Sequence, residues 1–283
     1  MANTFDTDLI VDTISQTALT VLGNKLPVLN AFSLDVGLDE MKPLGTVQVD
    51  LTTVGSAVAT NPTTFGSTGA TTVARPVVVN HYSVPFGLTA AELNQGKKLT
   101  SQAKIHAQAL ADKIIDVAFT PMTSANFGTA ALDVDVATFA ASDMKTLWKA
   151  IEKVDSKQAI LSGDLYANIM PTDRNEFSLA EAGAYGFDGI HHTSRISGAG
   201  TNVTGFIGGR EAIAIAAGLP VADMTPEGEF IAKEIIQLEG LGLAVQLNIW
   251  YDRSSRSHFA SYDVMFGAGL GDATAGEIII DTP

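Results

Sequence analysis

The sequence predicts an α+β fold in which one long helix stands between an extended two-stranded excursion and a closing sheet. Three observations predict it. Apolar and polar residues alternate with period two near residue 47 and again through 243–266, the mark of strands with one covered face. Residues 97–119 instead carry an apolar stripe at helical spacing. Between that helix and the closing strands, short segments of both kinds alternate around Gly-rich turns, as in a compact α/β lobe.

The first element is a helix. Asp6 or Thr7 can cap it, Leu9, Ile10, Val11, Ile14, Leu19 and Val21 run through it, and Gly23 can end it. The stretch after Gly23 reads as an extended arm whose scattered apolar residues have little to bury against in their own subunit. Val47, Val49 and Leu51 then alternate with polar residues, and a Gly, Ser, Thr and Ala stretch runs from Gly55 to Thr72. Val77, Val78 and Val79 open a second extended run towards Phe86. Two strands joined by so long a tip form an excursion from the body.

At Thr89 the period changes. Thr89-Ala90-Ala91-Glu92 has the spacing of a capping box, in which hydroxyl and carboxylate satisfy free amides at a helix start. A helix from Lys97 to Phe119 comes next, with Leu99, Ala103, His106, Leu110, Ile114 and Val117 on one stripe, and Pro121 stops it. At 1.5 Å per residue it is roughly 35 Å long. Beyond it, Ser142 starts a helix through Met144, Leu147, Trp148 and Ile151, Gln158 to Leu161 reads as a buried strand, and Asp164 to Met170 as a short helix. Phe187 to Ile196 and Phe206 to Ala217 read as further strands. Finally Leu243, Val245, Leu247 and Ile249 alternate up to a charged turn at 252–257. Ala260, Tyr262, Val264 and Phe266 return on one side, which makes a β-hairpin, and Glu277 to Ile280 adds a last strand.

Composition narrows the function. The net charge of −14 repels phosphate backbones and argues against tight or sequence-specific binding of nucleic acid. The absence of cysteine removes disulfides, thiolate metal sites and cysteine nucleophiles together. The start, MANTFDTDLI, lacks the basic and apolar regions of a secretory signal, and no stretch approaches the ~20 apolar residues of a membrane span. Folding in the cytoplasm, without a membrane partner, is expected.

Motifs for catalysis are missing: no phosphate loop with its lysine, no H-E-x-x-H helix and no G-x-S-x-G elbow. One constellation stands out, Asp188-Gly189-Ile190-His191-His192, where two imidazoles and a carboxylate offer metal ligands for a hydrolase. Adjacent residues on a strand point to opposite faces, however, so Asp188, His191 and His192 read better as surface residues of a loop. Asp133 and Asp135 are too close for a calcium loop, and His106 lies on an apolar stripe where packing is the default. No catalytic residue, cofactor or metal is expected.

The order of parts, and two stretches within it, resemble the major capsid proteins of tailed bacteriophages, the Hong Kong 97 fold. Phe86-Gly87-Leu88-Thr89-Ala90-Ala91-Glu92-Leu93 is similar to that family's passage from extended loop to spine helix. Gly205-Phe206 with Ala212 to Ala216, then Ile249-Trp250-Tyr251-Asp252 and Tyr262 to Gly267, resemble its closing strands. The resemblance implies an N-terminal arm over 1–42, an extended loop with its lead-in over 43–96, and a peripheral domain with the spine helix over 97–140. An axial domain over 141–225 and a peripheral sheet over 226–283 complete the division. It implies pentamers and hexamers of the chain itself, a portal, and assembly in the host bacterial cytoplasm into a virion. Arm and loop residues Leu9, Ile14, Val47, Val49, Leu51, Phe65 and Arg75 are the expected contacts between subunits, since a thin arm and loop need partners to cover them.

Two departures from the family sharpen this. Some members cross-link an extended-loop lysine to a neighbour's asparagine, but between Lys42 and Lys97 this chain has no lysine, and Arg75 is the only strongly basic residue. A shell held without covalent links is expected. The arm begins almost at once, so no large cleaved prosegment and a separate scaffolding protein are expected. An encapsulin-like nanocompartment is the nearest alternative, and a phage tail or surface protein a further one, against which the long helix argues.

Overall fold

The computed structural model describes residues 7–53, 71–88, 96–152, 154, 156–170, 185–196, 202–221, 229–255 and 257–281. In chain order the main elements are α1 (Thr7–Lys25), β1 (Ser33–Met41), β2 (Gly45–Thr53), β3 (Thr71–Leu88), α2 (Gly96–Phe119), α3 (Ser124–Phe127) and β4 (Leu132–Asp133). Then come α4 (Ala141–Ala150), β5 (Gln158–Leu161), α5 (Gly163–Ile169), β6 (Gly189–His192), β7 (Val203–Gly208) and β8 (Ile213–Pro220). The chain closes with β9 (Glu229–Leu238), β10 (Leu243–Asp252), β11 (Ser257–Leu270) and β12 (Gly276–Ile280).

The expected terminal hairpin is the middle of the larger sheet. β10 and β11 pair antiparallel with Ile249 opposite Ala260 and Trp250 opposite Phe259. The Asp252 carboxylate ties the turn by accepting from the Ser254 amide (2.8 Å) and the Ser254 and Ser255 hydroxyls (2.7 Å each). Those bonds, Ser254 foremost, hold its pKa at about 2. Around the hairpin the order is β1-β8-β11-β10-β9, and β3 pairs both with β11 and with β2. β9 has no counterpart among the strands expected from periodicity, because Ile235 and Ile236 sit side by side and blur the alternation.

Both long helices lie on one face of this sheet. Ile14 and Leu22 of α1, Leu110 and Ile114 of α2, and Val245, Leu247, Ile249, Tyr262 and Phe266 of the strands form one buried cluster. α2 runs 24 residues, about 36 Å, much as its stripe predicts. His106 is half-buried: it stacks on Phe86 at 4.5 Å and its Nδ1 lies 2.8 Å from the Gln102 carbonyl.

The N-terminal segment corrects an expectation. The helix expected at its start packs into its own subunit, and the stretch after Gly23, expected to find little cover there, is buried at Leu26, Leu29 and Phe32. The Tyr262 hydroxyl donates to the Ile14 carbonyl (3.3 Å), Ser15 donates to Glu234 on β9, and Lys25 pairs with Asp112 on α2 at 2.7 Å. A 3-10 turn at Pro27–Ala31 carries the core onward through Val28 and Leu29, and β1 then joins the sheet parallel to β8. The physical reason is available partners: the sheet face and α2 leave a groove that an apolar helix face fills.

The second sheet has the order β4-β12-β7-β5-β6 and forms the lobe. Met144 and Leu147 of α4 and Leu165 and Ile169 of α5 cover it together with Leu161, Ile207 and Ile279. Ile160, Phe206 and Ile278 face the other way and belong to the main core, so lobe and body are packed together. Two expected strands come out differently here. The extended run at 187–196 is paired only over Gly189–His192. The run at 206–217 is two strands, divided at Arg210–Ala212 where the chain crosses from the lobe sheet to the central one. β12 also pairs with β7 and β4, so the last strand closes the lobe and leaves the central sheet.

Candidate functional site

β3 does two jobs along its length. Residues Asn80 to Leu88 pair with β11, while Thr71 to Val79 form a hairpin with β2, Arg75 opposite Val49 and Val73 opposite Leu51. The root of this hairpin folds over the sheet face opposite the helices. Val49, Leu51, Val77 and Val79 are buried there against Ala214, Ala216 and Met265, with Val47 partly buried beside them. Small residues permit the approach. At Gly267 a side chain would run into the Val78 carbonyl oxygen, so backbone lies almost on backbone.

Three of the seven expected contact residues are covered by their own subunit. Val49 and Leu51 are covered by their own subunit, and Ile14 is fully enclosed in the core, so none of the three offers surface to a neighbour in this conformation. Leu9 is 63% exposed and does. Val47 and Arg75 are half-buried, and the enclosed Nε of Arg75 has no hydrogen-bond partner among the described residues. Phe65, the tip of the loop and the capping box at Thr89 lie outside the described residues.

Beside the hairpin root lies a polar layer that the alternation alone did not announce. Gln246, Asn248, Ser261 and Asp263, on the second face of β10 and β11, are all buried. Gln246 donates to Asn248 (2.8 Å), and Asn248 to Asp263 (2.9 Å). Ser261 also donates to Asp263, and His81 Nε2 of β3 sits 3.0 Å from its other oxygen. Burial pushes the Asp263 carboxyl up, yet bonds from His81, Ser261, Ser83 and Asn248 outweigh it and leave the pKa below the ordinary value. A sequence signal was present: polar residues filling the second face of an otherwise apolar hairpin.

The metal constellation does not assemble. The Asp188 carboxylate accepts from the Lys157 amide at 3.0 Å and so closes the start of β5. His192 stacks on Tyr166 at 4.7 Å, and burial followed by the nearby His192 lowers the pKa of His191. Both histidines line a cleft of about 570 Å³ between lobe and body, with Lys25, Asp112 and Arg195. Arg195 clamps the cleft, its Nε donating to Asp116 at 2.9 Å and its guanidinium lying 3.8 Å from Asp112. Asp112 and Asp116 stand one helical turn apart, but their partners come from distant segments, which no local spacing reveals. Among the described residues no three His, Cys, Asp or Glu side chains are grouped to hold a metal ion. Nor is any described helix long and apolar enough to cross a membrane.

No protein-family model matches the sequence, and no curated protein matches it. The backbone does match solved structures. The virus-like particle from Pyrococcus furiosus is 11% identical, with 95% of this chain and 98% of that chain covered at a TM-score of 0.59. The capsid of the Myoviridae phage XM1 is 12% identical, covering 91% and 92% at 0.52. The capsid of Ralstonia phage GP4 is 10% identical, covering 88% and 86% at 0.51. At such identities the likeness is one of fold, and it runs through nearly the whole chain.

Proposed function

We infer from this fold, which is that of Hong Kong 97-type capsid proteins, that the chain is the major capsid protein of a tailed phage, many copies of which close into an icosahedral shell around double-stranded DNA. The observation that carries the reading is the extent of the match, which takes in 95% of the chain and so both sheets and the helices between them. A wall protein needs no reaction centre, and the engagement of Asp188 by the Lys157 amide and of His192 by the Tyr166 ring supports a structural role over a hydrolase. The acidic surface also suits a wall that packed DNA should not adhere to.

Assembly in this reading uses copies of the chain in pentamers and hexamers, a separate scaffolding protein and a portal, in the host cytoplasm. Of the expected contact residues, Leu9, Val47 and Arg75 keep accessible surface, which supports their contact with the next subunit. The lysine-free loop supports a shell without isopeptide links. The test is expression of the full chain with and without co-expressed phage scaffold, followed by electron microscopy. Closed particles of uniform size are expected, and their denaturing gel should show a single monomer band. Covalent ladders would overturn the unlinked shell, and the absence of particles under every condition would overturn the capsid reading.

A nanocompartment enclosing protein cargo is the second reading, favoured by the end-to-end match to a virus-like particle. Particles purified from the native source separate the two by content: DNA for the capsid, one enzyme species for the compartment.

A further inference from the structure

Two features at opposite corners of the central sheet fit each other. Where β1 turns into β2, Leu44 is 74% exposed and has φ of 59°. An exposed leucine alone means little. A leucine in the left-handed region is another matter, since glycine or asparagine would occupy that backbone at less cost. The turn is also fixed: the Leu44 amide donates to the Val79 carbonyl at 2.8 Å and the Gly45 amide to the Lys42 carbonyl at 3.0 Å. The leucine is thus held outward on a rigid base, with exposed Lys42 beside it.

The second feature is a cavity of about 270 Å³ between the end of α1 and the β9–β10 turn, lined by Leu19, Pro27, Leu238 and Leu241 and rimmed by Glu239. Lys42 and Glu239 make no ion pair among the described residues. β1 and β9 are the two edges of the main sheet order. The pairings make them antiparallel to each other, so the turn after β1 and the turn after β9 lie at opposite ends as well. A knob and a pocket on different patches of one molecule make a heterologous contact, which repeats head to tail and closes into rings when the rotation allows.

We propose that the Pro43–Leu44 turn of one copy seats in the apolar pocket beside Leu238 and Leu241 of the next, with Lys42 of the first pairing with Glu239 of the second. This rests on the shell reading and specifies one of its contacts. The occupant is a second copy because knob and pocket match in polarity, the flanking charges are opposite, and both features belong to the same chain.

The test uses particles of the full chain. Lys42→Glu and Glu239→Lys should each raise the concentration needed for assembly by about tenfold, and the double exchange should restore it. Leu44→Asn suits the left-handed backbone, so its melting temperature should match wild type while assembly falls. Because the chain has no cysteine, Lys42→Cys with Glu239→Cys should give under mild oxidation a thiol-reducible ladder of multimers, whereas each single variant should give dimers at most. If wild-type particles form, the charge variants assemble equally well and no ladder appears, the contact is wrong and the shell reading stands. If the wild type never forms particles, both fall.

Discussion

At β10 and β11 the central sheet is buried on both faces, one by apolar packing and the other by a bonded polar layer beside the apolar root of the β2–β3 hairpin. On the helix side, Tyr262, Val264 and Phe266 press against α1 and α2, and a single large cluster results. On the other side, Asp263 gathers His81, Asn248 and Ser261 next to the folded-back root of the β2–β3 hairpin. The helix side owes its strength to area removed from water, which is large and indifferent to direction. The hairpin side owes its strength to directional bonds, which hold β3 in one register against β11 and lose heavily if one member is removed.

The contrast can be broken in order of effect. Phe266→Ala, on the helix side, should cost about 3–5 kcal/mol, read as a fall in the denaturant midpoint of the unassembled chain. Asp263→Ala should cost about 2–3 kcal/mol, because it strands donors on four neighbours, of which Asn248 and Ser261 are buried. Its companion Asp263→Asn separates charge from shape. The depressed pKa of Asp263 means that its stabilisation is complete above the ordinary unfolded value, about 3.9, and fades as pH falls through the lower folded value. The asparagine variant should therefore lose that acid-side slope, and an unchanged pH profile below 4 (roughly the unfolded pKa) would show that Asp263 does not set it.

Gly267→Ala tests the hairpin root itself. The added carbon meets the Val78 carbonyl, so about 1–3 kcal/mol should be lost and proteolysis near residues 73–79 should quicken. The smallest effect belongs to the lobe–body cleft. Arg195 keeps much of its side chain in solvent, so Arg195→Gln should cost under about 1 kcal/mol, and the difference should shrink at high salt.

Much of this arrangement is legible in the chain alone. The α2 stripe, the β10–β11 hairpin and the α4 and α5 helices are set by short-range periodicity and by punctuation such as Pro121 and Pro171, so they survive folding nearly unchanged. The contact residues fared differently. Ile14, Val49 and Leu51 are apolar residues in need of cover, and the need is real. The source of that cover could not be read, because Ala214, Ala216 and Gly267 become a landing for the hairpin only when three distant segments meet.

The sequence by itself determined that this chain is α+β, where α2, α4, α5 and the β10–β11 hairpin run, and that no known catalytic motif is written in it. Those properties depend on neighbours within a turn or two of the chain. Tertiary structure decided which face of the sheet is dry and which is bonded, that α1 belongs to the body, that the last strand closes the lobe, and that Leu44 stands outward. Each of these depends on which partner reaches a surface first and fits it best, and such competition among distant segments leaves no periodic trace in the sequence.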